Sequence, residues 1–133
     1  MTRKEQQRDE LVRAIDAIEG GYEFLLAYAA QGRHTDDAAG SHSPRAKLES
    51  MAEALGVLPG LATDMAAAGA ESNGDFDAFL DALARDAAVS RAAIRLVLSR
   101  RDISSQIVDN LNASIHLRAL LTDVFLIDEA LKP

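Results

Sequence analysis

The chain contains no cysteine. A disulfide framework and a thiolate metal site are both excluded by that absence. Proline occurs only three times, and β-branched residues are few beside the many alanines and leucines. That balance favours helix over strand. Long hydrophobic runs are also missing, and the longest falls far short of a membrane span, so no membrane partner is expected. The first residues, "MTRKEQQRDELVR", are charged throughout and do not read as a secretory signal, so a cytoplasmic location is expected. Positive charge is in deficit: 14 Lys and Arg stand against 21 Asp and Glu, a net charge of −7. Binding nucleic acid means neutralising phosphates with cations, so no nucleic-acid partner is expected.

What remains is a chain of 133 residues, 48% hydrophobic and 26% charged. Those values fit one soluble globular domain covering 1–133. Leu11, Ile15, Ile18, Tyr22, Leu25 and Ala29 recur at steps of four and three, predicting a first helix from about Arg3 to Gln31. "GRHTDDAAGSHSP" breaks the pattern. Ser43 and Pro44 form a start signal for a second helix, whose stripe is Leu48, Met51, Leu55, Leu58, Ala62 and Met65. Pro59 lies inside it between Gly56 and Gly60, where a proline removes a backbone hydrogen bond and predicts a kink. After "GAESNGD", Asp75 is the expected N-cap of a third helix with the stripe Phe76, Leu80, Leu83, Ala87, Ser90, Ile94 and Val97. "SRRDIS" interrupts that, and a fourth helix is expected from Asp102, as its cap, to about Leu131. The fold class read from these stripes is all-α: an antiparallel, up-down-up-down four-helix bundle of helices roughly 40 Å long, the second kinked at Pro59.

The fourth helix carries the most unusual segment, "IVDNLNASIHLRALLTDVFLID". On a helical wheel Asp109, Asn112, His116 and Asp123 fall on one side. Arg118 and Thr122 fall on another, among Leu111, Ile115 and Phe125, while Leu117, Leu121 and Val124 hold a third. A helix with no broad polar face is covered on several sides. Leu117, Leu121 and Val124 are therefore expected to meet a second subunit in a homodimer. Counting levels along the helices places His116 near Gly20 and Gly21, Leu58 and Pro59, and Ala87 and Ala88. The small residues of three helices would then face the polar segment of the fourth, either in close packing or around a pocket. The polar cluster expected at mid-height is Glu19, Tyr22, Glu23, Asn112, His116 and Arg118. A buried Arg118 needs a carboxylate, with Glu19 the first candidate and Glu23 the second.

Familiar chemistries find little footing. No Glu-x-x-His pair is present for a di-metal carboxylate bundle. His34, His42, Asp36 and Asp37 share a loop, but their spacing matches no metal motif. "SIHLRALL" superficially resembles the phospho-accepting helix of histidine kinases. Leu117, however, stands where those place an acidic neighbour, and Arg118 and Leu120 replace the lysine and glycine of phosphotransfer domains. Neither a Gly-rich phosphate loop nor a nucleophile motif occurs. No catalytic residue, metal or cofactor is expected. Arg91, Arg95, Arg100 and Arg101, with Arg33, Arg45 and Lys47, concentrate positive charge at one end. They either complement the dipole of the third helix or dock an acidic protein segment. The leading expectation is a non-enzymatic adaptor, assembly or regulatory partner. The alternative is a small-molecule-binding protein or enzyme using a pocket around His116 and Arg118.

Overall fold

A computed structural model describes residues 2–36, 43–69 and 74–132. It contains five helices: α1 (Arg3–Ala29), α2 (Pro44–Ala68), α3 (Gly74–Leu98), α4 (Ser105–Asn112) and α5 (Ile115–Ala130). No strand occurs among the described residues. The all-helical expectation holds; the count of four does not.

Each start has a local cause. Thr2 and Glu5 form a reciprocal capping box at α1. At α2 the Ser43 hydroxyl accepts from the Ala46 amide at 3.0 Å, and Pro44 needs no partner for a missing N–H. Asp75 lies in the first turn of α3, which begins at Gly74, rather than capping it. Ser104, not Asp102, caps α4 by accepting from the Ile107 amide at 3.2 Å. Helix α2 runs unbroken through Pro59.

The expected fourth helix is two helices. The Ala113 amide still donates to Asp109, but the Ser114 amide turns to Leu111, and the ladder restarts where Arg118 N–H donates to Ser114. Ser114 itself is extended, with φ −59° and ψ 128°. Among the described residues no side-chain bond accounts for the break: Ser114 makes no capping bond, and the Asn112 amide has no partner. The break hands the chain from one neighbour to another. Helix α4 packs chiefly on α1, and α5 on α3.

Buried residues of all five helices form one hydrophobic cluster, including Leu11, Ile18, Leu55, Leu83, Val108 and Leu120. Neighbouring helices run antiparallel. Lys47 lies over the Phe24 ring, Arg91 donates to the Ala52 carbonyl, and Arg8 at the start of α1 donates to Leu131 just beyond the end of α5. Gly21 is required by this packing, since a Cβ there would sit 2.5 Å from Met51 Sδ. The close approach of α1 and α2 justifies a residue that costs a helix interior about 1 kcal/mol relative to alanine. Gly20 and Gly60 face open space, so internal contacts do not account for either.

Candidate functional site

The outer face of α5 is set by the break at Ala113–Ser114. Swinging α5 toward α3 opens a groove between α5 and α1, lined by Tyr22, Ile115, Arg118, Ala119, Leu121 and Thr122, with a volume of about 410 Å³. Tyr22 and Arg118 line the same groove. The groove is an open surface feature, and His116 and Arg118 are both exposed. His116 contributes only its backbone carbonyl to packing, accepting from the buried Ser90 hydroxyl at 3.1 Å.

Glu19 does not serve Arg118. The groups acting on its carboxyl are all acidic; burial first, then Asp128, Asp16 and Glu23, raise its pKa. Glu23 is exposed. Among the described residues the Arg118 guanidinium has no carboxylate partner, so the expected desolvated ion pair is corrected to an exposed, unpaired cation. The reason is the phase slip at Ser114, which rotates Arg118 out of the interior. Asn112 is buried, and neither atom of its side-chain amide has a hydrogen-bond partner.

The same slip reassigns the apolar faces. Leu117, Leu121 and Val124 lie inside the subunit, at 0%, 8% and 0% exposure, and cannot form a contact with a second copy without unfolding α5. The exposed apolar side chains are instead Ile115 (79%), Phe125 (57%) and Leu126 (55%). At 100° per residue these share one side of α5 with Arg118, Ala119, Thr122 and Glu129.

The basic end resolves into a cap and exposed cations. Arg45 donates to the carbonyls of Leu98, Arg100 and Arg101 at 3.0, 3.1 and 3.2 Å and pairs with Asp36 at 3.1 Å. It thereby satisfies the last carbonyl of α3, at Leu98, and two carbonyls of the connection that follows. Arg91 is held against α2, its Nε donating to Ala52 at 3.0 Å. Arg95, Arg100 and Arg101 are exposed. Asp36 also accepts from the Ile103 amide at 2.6 Å, and Tyr28 donates its hydroxyl to the Ile103 carbonyl at 2.5 Å. Asp36 is thus committed to structure; His42 and Asp37 lie outside the described residues.

Sequence reasoning missed one more group. Asp123 of α5 faces Asp86 of α3, and its Oδ2 is shielded from solvent. Burial, then the hydrogen bond and the charge of Asp86, push the Asp123 carboxyl up to about 7. Two carboxyls across a helix seam can share one proton but repel when both ionise. The available signal was the wheel position of Asp123 between Leu120 and Ile127; nothing in the sequence pointed to Asp86.

None of the described helices is long and apolar enough to cross a membrane. No family model matches the chain, and no curated protein or solved structure matches it.

Proposed function

We propose that this protein is a non-enzymatic helical partner, an adaptor or assembly factor, that works as a homodimer through the outer face of α5. The observation that carries the reading is the exposure of Ile115, Phe125 and Leu126 on one helical side. Adjacent exposed apolar side chains are characteristic of association surfaces rather than of a solvated helix. A second copy is the occupant that this face fits. In an antiparallel α5–α5 contact around a two-fold axis midway between Thr122 and Phe125, Arg118 of each copy meets Glu129 of the other. The unpaired guanidinium then gains a carboxylate, and Phe125 packs near Thr122 across the axis. Glu129 otherwise holds only Lys132, an exposed pair worth little. A small-molecule or catalytic reading would need an enclosed site, whereas the groove beside Tyr22 is open and its Arg118 solvated.

Sedimentation velocity across the micromolar range tests this. A dimer is expected for the native chain, and Phe125→Glu should give a folded monomer. Arg118→Glu should weaken the dimer, and adding Glu129→Arg should restore it. A native chain that stays monomeric, or a dimer indifferent to Phe125→Glu, refutes the reading.

A further inference from the structure

The face opposite the α5 seam carries a second groove, between α1 and α2, with a volume of about 640 Å³. Its floor is made of short side chains: Ala14 and Ala54 are buried there, and Ala17 is half-buried. On the α2 side Gly60 exposes the helix backbone, whereas Gly56, one turn before it, turns towards α3, where a Cβ would sit 3.4 Å from Arg91 Nε. A methyl at Gly60 would meet nothing within 4 Å, so packing within the molecule does not require glycine there. Between them Val57 is 51% exposed, an aliphatic side chain with no internal role.

The rim adds a charge signature. Glu10, Glu53 and Asp64 line the groove with Arg13 as the one cation, all four exposed, and among the described residues none forms an ion pair. An unbalanced acidic rim over a glycine and alanine floor defines its complement. The occupant must be slender where it crosses Gly60, apolar where it meets Val57, and cationic towards Glu53 and towards the Glu10–Asp64 end. A helix with one small, apolar face and flanking lysines or arginines has that form.

We propose that the α1–α2 groove docks a basic amphipathic helix of a partner protein. The wall of α2 from Ser50 to Asp64 rises about 21 Å, which such a helix of about fourteen residues would span. Carboxylates at both ends of the groove set the register of the helix. Gly60 permits backbone approach, and the net negative charge of the molecule raises the rate of encounter. This site is distinct from the α5 face and does not depend on dimer formation.

The test uses a fluorescein-labelled synthetic peptide with alanine and leucine on one helical face and lysine at both ends. Its controls are a scramble of the same composition and a version with glutamate for lysine. Amide chemical-shift mapping on the full chain should place the peptide at Ala17, Ala54 and Val57, and binding should weaken with added salt. Gly60→Leu fills the groove without an internal clash, and Glu53→Lys with Asp64→Lys inverts its charge. Each should weaken binding roughly tenfold or more with the helical circular dichroism unchanged, while Phe125→Glu should leave binding intact. The proposal fails if no peptide binds or if the scramble binds equally. It also fails if Gly60→Leu binds as the native chain does, or if the shifts map to α5 instead.

Discussion

At neutral pH Asp123 is poised between two charge states, because burial and Asp86 push its carboxyl up to about 7. Its ordinary value is 3.8, so between those limits the folded chain holds a proton that the unfolded chain has released. Stability from this group is fully present below the lower value, declines as pH rises towards 7, and is flat above. Asp123→Asn removes the second charge and can still donate to Asp86. Thermal melts should show the variant level with the native chain near pH 4 and more stable at pH 8, by on the order of 3 °C. A native chain whose melting temperature does not fall from pH 5 to 8 relative to the variant would show that the pair does not titrate this way. Gly21 gives a second prediction at this scale. Gly21→Ala drives a methyl into Met51, and denaturant unfolding should show a loss of about 1–3 kcal/mol. Gly60→Ala, with open space before it, should instead raise stability by roughly 0.5–1 kcal/mol.

Among the elements, α1, α2 and α3 were legible because their apolar positions keep one phase from end to end. Nearly every residue of the expected stripes is buried, with Tyr22, Ala29 and Phe76 at the margin. The α4–α5 break was not legible, and one residue explains why. Buried positions run Ser105, Val108, Leu111 and Asn112, then Leu117, Leu120, Leu121, Val124 and Ile127. The step of five between Asn112 and Leu117 is a phase slip, but Ile115 fills the expected slot and makes the stripe look continuous. Only its exposure shows that it belongs to neither side. Misplacing that slip misplaced Arg118 and the exposed apolar side of α5 together. Leu121→Glu should therefore not yield a folded monomer but should lower stability by about 3 kcal/mol or more, by placing an unpaired charge in the core. Circular dichroism at moderate urea should show it unfolding well before Phe125→Glu.

At the scale of the whole molecule the helices are tied at two ends by polar groups that aim at backbone. Arg8 reaches Asp128 and the Leu131 carbonyl at one end. Tyr28, Asp36, Arg45 and Ser105 join the connections at the other, where the Ser105 hydroxyl donates to Tyr28 O at 2.7 Å and accepts from the Arg33 amide at 2.8 Å. Such targets leave no trace in a sequence pattern, because any residue supplies a carbonyl. Arg45 could be read only as one more cation near a helix end, and Asp36 as one acid in a loop.

That second knot has a kinetic consequence. Tyr28 and Ile103 are 75 positions apart, Asp36 and Ile103 67, and Arg45 and Leu98 53. Each of these bonds closes a long loop, and that entropic cost falls once the α2–α3 hairpin it spans has collapsed. The knot is thus expected to form late and open early. Arg45→Met should cost about 2 kcal/mol in lost charged hydrogen bonds. In stopped-flow chevrons almost all of that should appear as faster unfolding, with the refolding arm unmoved. An equal slowing of refolding would place the knot in the nucleus instead. With the refolding arm unmoved, Arg45 sets how long the native state lasts, while the apolar stripes set how quickly it is reached.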